Sequence, residues 1–302
     1  MGGHMSTSTA GFIGLGVMGA PMCRHLARKA SQAGLERVYA YDQDPAARER
    51  LDDAPAHFVD SVVELCERSD IVLFCLPGGP QVSALTEGER GLVALSRMGQ
   101  TFVDLGTTPV PLTRALQAGF AARGARFLDA PITRTRQAAE DGTLSILVGG
   151  DAEGLAVIEP LLRCFGTEVT LCGPIGAGQV VKQMNNMVLF QTVAALAEAL
   201  ATARAAGVDG QLLFDAMSKG SADSFALRNH GRKAMLPDDF PLRAFSVRYA
   251  LKDLDYAIEL AGSLGLPLPG AAQVRERFEQ AIAAGDGDAY FPVIVRGLKP
   301  DA

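Results

Sequence analysis

The 302-residue sequence lacks long hydrophobic runs, metal-ligand spacings, concentrated basic stretches, internal repeats and low-complexity tracts, and each absence removes a class of function. Its apolar residues, 48% of the total, fall in runs too short to cross a bilayer, and no charged leader precedes a cleavable apolar stretch. The expectation is a soluble, cytoplasmic protein. Five cysteines, Cys23, Cys66, Cys75, Cys164 and Cys172, show no paired short spacing for zinc or redox chemistry and read as buried free thiols. His25, His57 and His230 are scattered singly, without companions for a metal site or catalytic triad, so no metal is expected. A net charge of −6 with no basic cluster leaves no electrostatic footprint for nucleic acid. A small anion remains possible, because a few placed cations and backbone amides suffice to bind one. Met1-Gly2-Gly3-His4-Met5 reads as an expression-tag remnant, with the native chain starting at Met5 or Ser6.

What is present is an alternation. Short apolar runs, at 11–13, 38–41, 71–76, 101–105, 126–130, 146–148 and 169–171, are separated by polar helical stretches. That is the pattern of an α/β fold with a doubly wound parallel sheet covered on both faces. After Gly173-Pro174-Ile175-Gly176 the chain turns to helix-compatible stretches rich in Ala, Leu and Met, so two domains are expected, 9–175 and an all-α 176–302. A helix over about 179–206 contains neither Pro nor Gly and stops at Gly207; it would span roughly 40 Å. Its apolar residues, among them Val180, Val181, Met184, Met187, Val188, Phe190, Val193 and Leu196, cover most of its circumference and imply burial on several sides. Other helices of the same subunit or a homo-oligomer could supply that burial.

Gly14-Leu15-Gly16-Val17-Met18-Gly19 follows the first strand and opens a helical pattern through Leu26. In that context the first glycine permits the tight turn, the second lets the backbone approach a pyrophosphate, and the third packs helix on strand, with helix amides facing the negative charge. The bland reading is a structural glycine turn. Asp42, at the end of the second strand, would accept hydrogen bonds from the adenosine ribose and repel a 2′-phosphate, so NAD is preferred over NADP. It lies further along than the usual spacing of about 20 residues, which an extended connection over 31–37 would explain. Alternatively Asp42 or Asp44 caps a helix before Pro45.

Beyond this loop the chain carries Cys75-Leu76-Pro77, Asp104-Leu105-Gly106-Thr107-Thr108-Pro109, Asp129-Ala130-Pro131, Gly142-Thr143-Leu144, Gly176 to Asn186 and Lys252-Asp253. That ordered series resembles the β-hydroxyacid dehydrogenases, relatives of 3-hydroxyisobutyrate and 6-phosphogluconate dehydrogenases, over nearly the whole chain. The resemblance implies a Rossmann-type N-terminal domain, a helical C-terminal domain, a small anionic substrate held in the cleft between them, and homodimers or homotetramers. It implies that Lys182 is the general acid/base of hydride transfer between a hydroxy acid and its aldehyde or keto form, with Asn186, four residues on, orienting the reacting oxygen. For base duty Lys182 must be partly desolvated or lie near another cation, since an ordinary lysine is almost fully charged at neutral pH; Lys252, which resembles the family lysine reaching the cofactor, could help. Leu76 and Pro77 resemble positions lining the adenosine side and Thr107 one near the nicotinamide ribose, although each also suits an ordinary loop end.

One segment departs from the pattern. Where the family has a hydroxyl followed by two glycines to hold the substrate carboxylate, this chain reads Thr133-Arg134-Thr135. Thr133 keeps a hydroxyl, and Arg134 adds a guanidinium fork suited to carboxylate, sulfonate or phosphate. The Arg-Thr pair resembles sulfolactaldehyde reductases of this family, so a sulfonated aldehyde is an alternative substrate; otherwise Arg134 faces solvent or pairs with Glu140 or Asp141. Imine reduction is a further alternative, disfavoured by Lys182, and a non-catalytic dinucleotide-binding interaction module is another, since a fold can outlive its chemistry.

Overall fold

The computed structural model describes residues 8–242 and 244–298, so the expected native start at Met5 or Ser6 lies outside the described residues. The chain divides into two compact units, 1–182 and 183–302.

In the first unit β1 (Ser8–Ile13) leads to α1 (Gly19–Arg28), β2 (Leu35–Tyr41), β3 (Ala56–Phe58), α2 (Val62–Arg68), β4 (Ile71–Phe74), α3 (Gly79–Thr86), α4 (Leu92–Leu95) and β5 (Thr101–Asp104). There follow α5 (Val110–Ala122), β6 (Arg126–Asp129), β7 (Ile132–Thr133), α6 (Arg136–Glu140), β8 (Leu144–Gly149), α7 (Ala152–Leu162) and β9 (Gly166–Gly173). One sheet holds them in the order β3-β2-β1-β4-β5-β6-β8-β7, with β9 paired to β8. Pairing is parallel from β3 through to β6. β8 then runs antiparallel to β6 and β7 and parallel to β9, so the sheet is parallel-dominated rather than uniform.

All seven apolar runs became strands, because successive side chains of a strand go to opposite faces and both faces are covered. Phe12, Leu73, Val103 and Leu128 pack with Met22, Leu26 and Leu161 on one face. Their neighbours Ile13, Val72, Phe74, Phe102 and Phe127 pack with Leu65, Leu116 and Phe120 on the other. Phe120 stacks between Phe102 and Phe127, at ring-centroid distances of 4.3 and 5.5 Å. β3 and β7 were not foreseen: at 3 and 2 residues they are too short to show a period, and their pairing partners define them. The connection expected to be extended over 31–37 is instead a 3-10 turn, Ala30–Ala33, ended by left-handed Gly34, after which β2 begins at Leu35. The thiols are all free, but only Cys23, Cys66 and Cys164 are buried; Cys75 and Cys172 are half-buried, which corrects the expectation.

α8 (Ala177–Ala205) is one continuous helix through the division between the units. By length and mean hydropathy, 1.3 over its best window, it could cross a bilayer, so the expectation that no segment reaches that length is corrected for this helix. Scattered Gln and Asn break the apolar run and lower the average, but the Val, Leu, Met, Phe and Ala around them keep it positive. The helix is nonetheless a core element of the second unit, where Phe190, Val193, Leu196, Ala197 and Leu200 are buried. Val188 is 57% exposed, so this chain covers one face of the helix and not several sides. The second unit continues with α9 (Gly210–Met217), a π-helical segment (Leu227–Met235), α10 (Val247–Ser263), α11 (Pro269–Ala283) and a 3-10 segment (Phe291–Leu298). Phe190 is its centre, edge-on to Phe278 and Phe291 at 5.5 and 5.2 Å.

His230 is buried in that unit. Its Nδ1 shares a hydrogen bond with the Tyr290 hydroxyl, and its Nε2 has no hydrogen-bond partner among the described residues. Burial depresses its pKa from 6.5 to about 4, so the folded protein keeps the ring neutral where the unfolded chain protonates it. A depressed folded pKa contributes stability that is present above the unfolded value and is lost as pH falls. Denaturant midpoints are therefore expected to drop between pH 6.5 and about 4, and His230→Phe is expected to flatten that slope.

Candidate active site

The site grows from the reversal of strand order. β2 lies on one side of β1 and β4 on the other, so the loops leaving the carboxyl ends of β1 and β4 diverge and open a crevice. Gly14 begins the first loop with φ +92°, where a Cβ would lie 2.4 Å from the Cys75 carbonyl oxygen. At Gly19 a Cβ would lie 1.9 Å from the Gly14 carbonyl oxygen. A Cβ at Gly16, by contrast, would meet nothing within 4 Å. Gly16 and Val17 are exposed at the crest, Met18 is half-buried, and α1 begins directly behind them, its Ala20 N–H bonded to the Gly16 carbonyl at 3.0 Å. Such a crest has open space, where a side chain would otherwise stand, into which a pyrophosphate could fit.

Asp42 meets this loop. Its Oδ2 accepts from the Leu15 N–H at 2.6 Å and its Oδ1 from the Asp44 N–H at 2.9 Å. Asp44 is the residue that caps the following 3-10 segment, by accepting from the Ala46 N–H at 3.0 Å. Asp44 is thus the cap, and Asp42 is bonded to the glycine loop instead. Arg50, which sequence reasoning passed over, donates to the Leu15 carbonyl at 2.9 Å and pairs with Asp44 at 3.1 Å. Leu76 stands 3.2 Å from where a Gly14 Cβ would be, so the second loop closes against the first, with Pro77 exposed beyond it.

After β5, Thr107 and Thr108 are buried. Asp104 gathers this loop, accepting from the Gly106 N–H at 2.8 Å and the Thr108 hydroxyl at 2.6 Å. After β6, Thr133 donates to the Ser145 carbonyl at 3.2 Å, and Thr135 caps α6. Arg134 has φ +83°, left-handed backbone that costs a non-glycine residue about 1–3 kcal/mol. Its guanidinium donates to the Thr143 carbonyl and, at 3.0 Å, to the Thr167 hydroxyl. Glu140 and Asp141 have other partners: Glu140 pairs with Arg24 and Asp141 accepts from Gln137.

Lys182, half-buried, belongs to the first unit, in the second turn of α8. Asn186 and Lys252 belong to the second. There Asp253, to which sequence reasoning assigned no role, joins them: its Oδ2 accepts from Asn186 Nδ2 at 2.8 Å, and its Oδ1 pairs with Lys252 Nζ at 2.9 Å. Because a carboxylate only accepts, Asp253 fixes which end of the Asn186 amide is nitrogen. Lys252 also lies over the Tyr249 ring at 4.1 Å. The sequence signal for Asp253 was its adjacency to Lys252; its bond to Asn186 spans 67 positions and left no local trace.

Comparison with known proteins agrees with this geometry. Residues 9–173 match the NAD binding domain of 6-phosphogluconate dehydrogenase, and residues 176–298 the NAD-binding domain of NADP-dependent 3-hydroxyisobutyrate dehydrogenase. The chain is 33% identical to the 2-hydroxy-3-oxopropionate reductase of Escherichia coli K12 over 96% of each. It is 34% identical to the 3-hydroxyisobutyrate dehydrogenase of Pseudomonas aeruginosa, over 91% of this chain and 94% of that one. A solved 3-hydroxyisobutyrate dehydrogenase from Mycobacterium tuberculosis superposes with TM-score 0.86 at 29% identity, covering 97% of this chain and all of that one. Imine reductases, such as one from Pseudomonas at 17% identity and TM-score 0.61, share the fold. The glycine crest, its carboxylate and the matches along both units show that the chain belongs to the β-hydroxyacid dehydrogenase family of NAD(P)-dependent oxidoreductases, which act on small hydroxy acids.

Proposed function

We propose that this enzyme interconverts a small hydroxy acid and its aldehyde or keto form, that it uses NAD in preference to NADP, and that Lys182 moves the proton. The observation that carries this reading is that Lys182 lies in the same compact unit as the dinucleotide loop, on a helix whose first turn is bonded to the loops leaving β5 and β6. A bound nicotinamide dinucleotide would supply the hydride acceptor or donor. Gly14 to Gly19 would hold its pyrophosphate through α1 amides, Leu76 and Pro77 would line its adenosine side, Thr107 would sit near the nicotinamide ribose, and Lys252 would reach it from the helical unit. During oxidation the neutral Lys182 amine accepts the hydroxyl proton; during reduction the ammonium returns it to the developing alkoxide. Asn186, fixed by Asp253, donates to the reacting oxygen.

Two features support the choice of ligands. Asp42 keeps lone pairs for ribose hydroxyls after binding Leu15, and its charge opposes a 2′-phosphate. The Thr133 hydroxyl would turn from the Ser145 carbonyl to donate to a carboxylate beside the backbone N–H groups of 134–135, while the Arg134 guanidinium is engaged at Thr143 and Thr167. Relatives named for 2-hydroxy-3-oxopropionate, 3-hydroxyisobutyrate and 2-(hydroxymethyl)glutarate all handle a carboxylate two bonds from the reacting carbon. A carboxylate therefore suits this loop better than a sulfonate. The half of α8 left exposed at Val188 suits a homo-oligomer.

Three measurements test the reading. Lys182→Ala is expected to lower kcat by about 10²–10⁴-fold with NAD affinity preserved; an equal loss of affinity contradicts the role. Asp42→Ser is expected to raise kcat/KM with NADP relative to NAD. Arg134→Gly is expected to leave kcat/KM for 3-hydroxyisobutyrate nearly unchanged, whereas a guanidinium gripping the substrate anion would cost about 1.5–3 kcal/mol when removed.

A further inference from the structure

Asp129, at the end of β6, has no exposed surface, and burial pushes its pKa up against backbone amides that pull it down. A carboxylate kept there needs a purpose equal to its desolvation cost. Its Oδ1 accepts from the Gly176 N–H at 2.7 Å and its Oδ2 from the Gln179 N–H at 2.9 Å. Both amides belong to the start of α8, where helix donors have no intrahelical partner and the helix dipole favours negative charge.

The surroundings are cleared for this contact. A Cβ at Gly149 would lie 2.2 Å from Asp129 Oδ1; a Cβ at Gly178 would lie 2.8 Å from Oδ2 and 2.3 Å from the Leu147 carbonyl oxygen. Side chains at either position would force the helix off the strand ends. Gln179, itself fully buried, makes a second attachment from the same turn. Its Oε1 accepts from the Thr108 N–H at 3.0 Å and its Nε2 donates to the Gly106 carbonyl at 2.9 Å. Asp104 holds that loop in turn through Gly106 and Thr108.

One attachment would leave the helix free to turn about it. Two, on different strands' loops, fix both its rotation and its height. Lys182 follows Gln179 by three residues, less than one turn. A slip of one residue would swing the lysine by about 100° and move it about 1.5 Å, and a 1 Å misplacement can cost about 10²-fold in rate. We propose that Asp129 and Gln179 are positioning residues forming a two-point clamp that sets the direction in which Lys182 projects. The clamp rests on the reading of Lys182 as proton carrier only for its catalytic consequence; its structural part stands alone.

The test uses the full chain and the variants Asp129→Ala, Gln179→Ala and Gln179→Glu. The first readout is backbone hydrogen exchange without dinucleotide or substrate, set against each variant's thermal midpoint. The second is kcat and KM with NAD and 3-hydroxyisobutyrate as probe. Exchange is expected to rise selectively across 176–182 in both alanine variants. kcat is expected to fall by about 10²-fold, with KM for NAD unchanged. Gln179→Glu, which keeps the acceptor for Thr108, is expected to recover part of the loss, a recovery that general destabilisation would not give. If Asp129→Ala does not fold, the Gln179 pair carries the comparison. Unchanged exchange at 176–182, or a rise spread evenly over the unit, overturns the clamp. Selective exchange with wild-type kcat overturns the positioning role. Full activity in Lys182→Ala would instead overturn the proton-carrier reading and leave the exchange result intact.

Discussion

The first unit depends on one close approach: the backbone at Gly14 lies against the Cys75 carbonyl and the Gly19 backbone against the Gly14 carbonyl, closer than any side chain allows. Those contacts let the β1 loop turn sharply into α1 beside the β4 loop. They leave the crest at Gly16 bare at the start of α1. The same crowding that forbids a Cβ at 14 and 19 therefore creates the space at 16. Asp42 and Arg50 then hold Leu15 by its N–H and its carbonyl, so the loop is set before any ligand arrives.

Buried carboxylates do the corresponding work elsewhere. Asp104 folds the β5 loop onto itself, Asp129 receives the start of α8, and Asp253 joins Asn186 to Lys252. In each case the carboxyl group is held out of water by two or more donors that converge on it, and those donors belong to chain segments whose relative placement matters. The cost of burying the ion becomes geometric specificity at the turn that leads to Lys182.

Arg134 shows how a family pattern can be altered at one position without losing its backbone. The residue stands where the family pattern expected from the sequence has glycine, and it has the left-handed conformation that glycine would adopt freely. Its guanidinium, bonded to Thr143 and Thr167, offsets part of that strain and fastens the loop to the ends of β8 and β9. In sequence the guanidinium was its most conspicuous feature; in the structure it is bonded within the protein, at Thr143 and Thr167.

Much was legible from residues alone. The short continuous apolar runs dictated strands, most of them buried on both faces, and a Pro-free, Gly-free stretch dictated the long helix, observed at Ala177–Ala205. The glycines after β1 announced a tight strand-to-helix turn, because at Gly14 and Gly19 a Cβ would collide with backbone. These properties are local: each depends on neighbouring residues and on backbone sterics that any fold must obey. Tertiary structure alone decided that Asp42 and Asp44 bond to different backbone groups, that β8 runs antiparallel to β6 and β7, that Arg134 turns to Thr143, and that Asp129 meets Gly176 and Gln179 some 47 and 50 positions away. A hydrogen bond depends on distance and angle in space, and residues so far apart in the chain meet only when the sheet order brings their loops to one edge.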